Sequence, residues 1–391
     1  MIILTAVIIS WKKLLYGFYL FVFSLPFVFI PKIFGMNFTL PEIIIFILLM
    51  IFCLKNFKEL EIRLKRTKFD LPILLFLFIT IIAYLRPLLS LNFQLELSNL
   101  STSSPIFILR ILLATFSFGL IYFLAINIIK KENIKKTIFI LLFTSSIAAL
   151  YGICQFLFLD TVRIMSFFDH PNFFGMFLGM IIPVSLVFFL KNKNKKIFWI
   201  FPLILFLALI FTFSRGGLVG ALFGLIFFLF FLKIYNKGIK KQIIIIFILL
   251  ILSFMIFFFI EKIEKNESSF LKERISQTKE EGLGIRYYYW KETLEKIKEN
   301  PILGKGYLLL NDGTEHAHNI YLQLWMERGI FCLLIFFLIL FLLFKDIKIY
   351  SSYSLAIIAG IFAFTVHGLV DYVLKIGFLL FLYLAIISKD S

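Results

Sequence analysis

Long apolar runs separated by short lysine clusters constrain this chain more than any other feature. The stretches 105–128 and 242–260 carry almost no charge. A helix crossing a bilayer core needs roughly 20 such residues. In lipid a helix satisfies its own backbone hydrogen bonds, which an open strand does not. A membrane barrel would show short alternating segments, and these runs do not alternate. The reading is an all-α polytopic membrane protein. Composition agrees: 61% of the 391 residues are hydrophobic, 16% are charged and 54 are Phe, whereas a soluble domain is about half apolar and about a quarter charged.

Twelve transmembrane helices are expected, at about 14–31, 39–55, 70–85, 105–128, 137–159, 172–190, 197–213, 215–235, 241–260, 328–344, 352–370 and 372–388. Residues 1–260 then hold the first nine, 261–327 form one long loop containing short helices, and 328–391 hold the last three. No internal repeat is visible. Lys12–Lys13 precedes a run of spanning length with no small-residue cleavage site, so no cleavable signal is expected. Cys53, Cys154 and Cys332 lie in or beside apolar runs, which excludes a disulfide framework and a C-x-x-C motif.

The net charge of +17 would suit nucleic acid if it formed a surface. Here it falls in short runs on alternate loops: Lys12–Lys13, 55–68, 130–136, 191–196, 233–241, 345–348 and Lys389. The intervening short loops hold at most one Lys or Arg each, and the 261–327 loop balances its basic residues with acidic ones. Basic loops face the cytoplasm, so both termini are expected inside and nucleic acid is not a partner. Arg86, Arg163, His170, Arg215, the 261–327 loop, His367 and Asp371 then share the outer face, as do all four His. The cytoplasmic loops lack a P-loop or other nucleotide signature. If the outer face needs an energy source, it must already reside in the membrane.

In the long loop, Leu283–Glu299 has helical periodicity, with Arg286, Trp290, Leu294 and Ile297 on one expected face. An Arg on that face is either a snorkelling side chain lying along Trp290 or an anion ligand. Asn300-Pro301 stops the helix, and Gly304 and Gly306 permit a turn. Glu315-His316-Ala317-His318-Asn319 follows. Two His at this spacing point only weakly to metal, since no further ligands stand at recognisable spacings. A structural role and a general base at the mouth of a cavity both stay open.

Arg215 lies between two long apolar runs. A charge there is costly unless it reaches the interface or lines a polar cavity, so it is either a topological anchor or a functional residue. Gly216, Gly220 and Gly224 follow at a spacing of four, a stripe suited to close helix packing. Arg donates bidentate bonds to phosphate, and Arg215 with Arg286 at one face suggests a diphosphate headgroup. Asp371 and Lys375 stand at i, i+4 and are expected to pair, with His367 extending a polar stripe. Phe168-Asp169-His170-Pro171-Asn172 reads as a turn and helix cap, or as a substrate contact.

The chain resembles the superfamily of O-antigen ligases and O-antigen polymerases. The resemblance rests on Thr212-Phe213-Ser214-Arg215-Gly216-Gly217; on Arg286 with Trp290; on Asn300-Pro301-Ile302-Leu303-Gly304-Lys305-Gly306; and on His318-Asn319-Ile320-Tyr321-Leu322 followed by Glu327 and Gly329. It covers roughly residues 140–385. One departure is Cys332, where the family often has Gly, Thr or Tyr. The resemblance implies a metal-independent, cofactor-free, inverting glycosyltransferase of the bacterial inner membrane whose site faces the periplasm. Its donor would be a glycan on undecaprenyl diphosphate, and its acceptor lipid A-core oligosaccharide or another glycan, among membrane lipids. Arg215 and Arg286 match the positions that hold the diphosphate, and His318 the position that activates the acceptor hydroxyl. His316, Asn319, Trp290, His170, His367 and Asp371 are expected as supporting or acceptor-side residues. Within the family, polymerases and protein O-oligosaccharyltransferases are the alternatives. A transporter of lipid-linked glycans is another; it would show broken helices or an inverted repeat, and the sequence suggests neither.

Overall fold

A computed structural model describes residues 2–28, 32–33, 36–57, 65–86, 105–159, 161, 163–192, 195–235, 283–306, 316–347, 351–372 and 377–390. Among these residues the chain is built from α-helices: α1 Ile2–Lys12, α2 Leu14–Ser24, α3 Leu40–Phe57, α4 Asp70–Leu85, α5 Pro105–Ile128, α6 Ile134–Phe158, α7 Pro171–Lys191, α8 Ile200–Phe211, α9 Arg215–Tyr235, α10 Leu283–Glu299, α11 Ile320–Lys345, α12 Ser352–His367 and α13 Gly377–Asp390. A two-residue hairpin, β1 Lys32–Ile33 with β2 Met36–Asn37, joins α2 to α3.

Among the described residues five spans, corresponding to α5, α6 with its preceding turn, α7, α9 and α11, are long and apolar enough to cross a membrane, by length and composition. The helices α4, α5 and α9 occupy the expected 70–85, 105–128 and 215–235. The first expected span differs. It ends at Ser24, because Pro26 has no N–H with which to extend the ladder, and a separate α1 precedes it across the extended Lys13. The expected 241–260 span and residues 261–282 of the long loop lie outside the described residues.

The centre of the bundle is α7, buried along almost its whole length. It packs against α9 and α12, which also pack on each other. The glycine stripe explains the closeness. A Cβ at Gly220 would stand 2.6 Å from the Ala363 carbonyl oxygen, and one at Gly224 2.7 Å from that of Ala359. In a bilayer such van der Waals contact is a principal attraction between helices, since lipid tails are as apolar as the side chains they replace. Around this trio α4 packs on α11, α13 on α5, and α6 on α8. Leu71, Leu74, Phe78, Phe230 and Phe341 point outward as an apolar exterior.

One helix is interrupted. Gly329 inside α11 has φ 79° and ψ 173°, a left-handed φ that favours glycine. The expected boundary between loop and tenth span falls at this break, and the helix itself starts earlier, at Ile320. The sequence suggested no broken helix, so this is a correction. The signal missed was a glycine inside a strongly helical run.

Candidate functional site

The N-termini of α7, α9 and α11 meet the C-terminal end of α12 at one end of the bundle. Each N-terminus is capped by its own sequence. The His170 Nδ1 accepts from the Asn172 N–H at 3.1 Å, with Pro171 in the first turn of α7. The Ser214 hydroxyl accepts from the Gly217 N–H at 3.1 Å. The Asn319 Oδ1 accepts from the N–H groups of Tyr321 and Leu322 at 2.9 and 3.0 Å. Capped helix N-termini carry partial positive charge and favour anions.

Asp371 is the hub. It is 2% exposed and follows α12 on the short turn that closes it. Its Oδ1 meets His318 Nδ1 at 3.2 Å and accepts from the Tyr372 N–H at 2.8 Å. Its Oδ2 accepts from Asn172 Nδ2 at 2.6 Å. The orientation of that amide is set in turn by Arg163, whose Nη2 donates to Asn172 Oδ1 at 2.7 Å while its Nε donates to the Thr212 carbonyl at 3.1 Å. Burial alone would raise the Asp371 carboxyl. The His318 hydrogen bond and the positive fields of His367, His318 and Arg286 outweigh it and hold the group below the usual carboxylate range.

An ionised carboxylate only accepts hydrogen bonds. The His318 proton therefore sits on Nδ1 and leaves the Nε2 lone pair available. The ring is held on its faces as well: Tyr289 stacks on it with centroids 5.7 Å apart, and His316 lies 5.2 Å away. His316 in turn packs near Tyr372 at 5.6 Å. The His318 backbone has φ 47°, an uncommon left-handed conformation for a non-glycine residue. Phe213, two residues before Arg215, has φ 48°. Both sharp turns immediately precede helix N-termini of the site.

Arg215 heads α9. A Cβ on its neighbour Gly216 would stand 2.5 Å from the His367 ring, so α9 begins directly beside the buried His367. Arg286 lies on α10, on the same face as Tyr289, Thr293 and Ile297. Ile297 packs on Met326 of α11. The expected face included Leu294, which is 43% exposed. The correction is a rotation of the face, made because Tyr289 follows the His318 ring. Trp290 is half-buried at the edge of that face. The expected Asp371–Lys375 pair cannot be followed, because Lys375 lies outside the described residues. Among the described residues Asp371 is held by His318, Asn172 and the Tyr372 backbone.

The segment 300–306 fits into the break of α11. Lys305 and Gly306 donate their N–H groups to the carbonyls of Met326 and Glu327 at 2.8 and 2.9 Å, and the Ile330 N–H donates to the Pro301 carbonyl at 3.0 Å. The Trp325 indole also donates to Pro301 O at 2.9 Å. Arg86, at the end of α4, donates to Gly304 O and Asn300 Oδ1, both at 3.0 Å. The loop thus occupies backbone groups that a broken helix would leave bare, and it docks α10 beside His318. Among the described residues no group of three or more His, Cys, Asp or Glu gathers as a metal-ligand set.

A family model described as O-Antigen ligase matches residues 200–337. That stretch of the chain is similar to the O-antigen ligase family. A comparison with curated proteins gives no match. The matched range runs from α8 into α11 and includes Arg215, Arg286, Trp290, His316, His318 and Asn319. His170, Asn172, His367 and Asp371 lie outside the matched range, yet the fold packs them against it. This similarity supports ligase- or polymerase-type glycosyltransferase chemistry on lipid-linked glycans in general.

Sequence reasoning did not single out Asn172 as a partner of Asp371, or Tyr84 and Gln323 at all. Gln323 and Glu327 did leave a signal, being polar residues at i, i+4 within an apolar helix. Tyr84 left none, since a Tyr near the end of a span is common.

Proposed function

We propose that the chain transfers a glycan from undecaprenyl diphosphate to an acceptor hydroxyl, with lipid A-core oligosaccharide as acceptor, at the periplasmic face of the bacterial inner membrane. One observation carries the reading: a His318 imidazole, oriented by the buried Asp371, where three capped helix N-termini meet, one of them headed by Arg215, with Arg286 close enough to act on Asp371. In the proposed step Nε2 of His318 takes the acceptor hydroxyl proton while that oxygen attacks the anomeric carbon. The bond from that carbon to the diphosphate oxygen breaks with its electron pair, and the configuration inverts. Asp371 stabilises the imidazolium as it forms. Arg215 and Arg286 hold the diphosphate and offset the charge it gains on leaving. No metal or cofactor enters the scheme.

The break at Gly329 invites the transporter reading, since transporters use broken helices to offer bare backbone groups to substrate or ions. Here the carbonyls of Met326 and Glu327 and the Ile330 N–H are occupied by the 300–306 loop, which supports a packed structural break instead. The test combines purified protein in nanodiscs, undecaprenyl-diphosphate glycan, EDTA and either lipid A-core or free glycan acceptors. Transfer to lipid A-core that His318→Ala abolishes supports the reading. Chain extension of the donor glycan alone would replace ligase by polymerase, and absence of transfer to any acceptor would overturn the reading.

A further inference from the structure

The groups beneath the site form a second buried chain. The Ala317 N–H donates to Gln323 Oε1 at 2.7 Å. That contact turns the amide so that its Nε2 donates to Glu327 Oε1 at 2.6 Å. The other carboxylate oxygen of Glu327 accepts from the Tyr84 hydroxyl of α4 at 2.7 Å. Arg328 donates to the same hydroxyl oxygen from Nε and Nη2 at 3.2 and 3.0 Å. Gln323 and Glu327 are 0% exposed, Tyr84 2% and Arg328 3%. Burying an amide, a carboxylate and a guanidinium together is costly unless each bond is made.

The chain ends on the residue before His318. On the other side Asn319 Nδ2 donates to the Leu369 carbonyl at 3.0 Å, and the Ile320 N–H donates to the Gly368 carbonyl at 2.8 Å. The residues on either side of His318 are thus tied to different helices, α4 through the buried chain and the end of α12 directly. A left-handed φ at a non-glycine residue persists only where its surroundings over-determine it.

We infer that Gln323, Glu327 and Tyr84 are positioning residues that hold His318 in its left-handed conformation and aim its Nε2 at the acceptor. The inference rests on the proposed role of His318 as base. The device acts through backbone geometry, so it governs turnover rather than donor binding. The same Glu327 accepts the Gly306 N–H on its backbone carbonyl, so one residue steadies both His318 and the loop that docks Arg286.

The test measures kcat, donor KM, the pH profile and melting temperature of the full chain in nanodiscs. Gln323→Leu removes the acceptor of the Ala317 N–H. It should lower kcat about 10- to 100-fold, the size expected for misplacing a reacting group by about 1 Å. Donor KM should stay within about twofold, and the acid limb of the profile should not move, because Asp371 still faces the ring. Gln323→Glu alone sets two carboxylates together, and Glu327→Gln alone removes the charge opposite Arg328, so each should be impaired. The double exchange restores the order of bonds: the carboxylate at 323 accepts from Ala317 and from the amide at 327, whose oxygen accepts from Tyr84. It should recover most of kcat, which a nonspecific packing role would not predict. Wild-type kcat in Gln323→Leu, or no recovery in the double exchange despite a normal melting temperature, would overturn the inference. Should Gln323→Leu not fold, Tyr84→Phe takes its place, and an unchanged kcat there has the same force. His318→Ala run in parallel separates the two levels: if it keeps wild-type transfer, the proposed function itself fails.

Discussion

Asp371→Asn is the perturbation that most directly probes the site. It preserves shape and removes one negative charge from a residue with three described hydrogen-bond partners. The new amide cannot satisfy them. Asn172 presents an N–H to Oδ2, while His318 and the Tyr372 N–H face Oδ1, so an NH2 group meets a donor in either orientation. Asn172 cannot flip without losing its bond from Arg163. At least one charge-assisted bond is lost, worth about 1.5–3 kcal/mol. If that loss is expressed wholly in the transition state, at about 1.4 kcal/mol per decade of rate, transfer slows about 10- to 160-fold. The assay is single-turnover transfer from lipid-linked glycan to acceptor across pH 5 to 9, with donor binding measured separately. The plateau should fall, because the ring loses the carboxylate that fixes its tautomer and orientation. Donor affinity should change little. A plateau within twofold of wild type, in protein that melts normally, would show that Asp371 does not act on His318.

Arg215→Lys keeps the charge and loses the planar fork, so donor binding should weaken by about tenfold or more, and Arg286→Ala should do the same; titration with undecaprenyl diphosphate reads both, and wild-type affinity in the pair eliminates the clamp. Gly329→Ala should cost roughly 2–5 kcal/mol, from the left-handed φ and from a Cβ placed 1.9 Å from the Ile302 carbonyl oxygen; thermal unfolding in detergent should show a large drop in melting temperature, and a wild-type value would mean that the 300–306 loop does not occupy the break. The Asp371 carboxyl is depressed on folding, so its stabilising contribution is present above the unfolded value of about 3.9 and is lost as pH falls through the lower folded value. Melting temperature should therefore change little through this group between pH 5 and 8 and fall at more acid pH, and Asp371→Asn should flatten that acid dependence.

Much of the fold could be read locally because membrane helices are written in hydropathy and their ends in caps. The bounds of α4, α5, α9 and α10 follow from apolar runs, helical periodicity and Asn300-Pro301. The close packing of α9 follows from Gly216, Gly220 and Gly224. Local pattern also isolated Arg215, Arg286 and His318, because a charge beside lipid or a His at a helix entrance is conspicuous in one dimension. It went wrong where a tertiary partner chose the outcome. Leu294 turned outward because Tyr289 follows the His318 ring, and α11 broke at Gly329 because a loop was available to occupy the freed backbone groups.

The sequence by itself determined that this chain is a bundle of membrane helices with basic and polar residues held at one end, since the cost of leaving backbone or charge unsatisfied in lipid admits few other arrangements. Only the tertiary structure decided which of those residues touch. Local spacing proposed Lys375, four residues away and outside the described residues; among the described residues the fold brings His318, 53 residues away, to Asp371. Glu327 found Tyr84 across 243 residues. Hydrogen bonds are made over about 3 Å of space whatever the separation along the chain. Spacing in sequence can propose a pair within one helix, but pairs between helices depend on how the close-packed trio of α7, α9 and α12 brings their ends together.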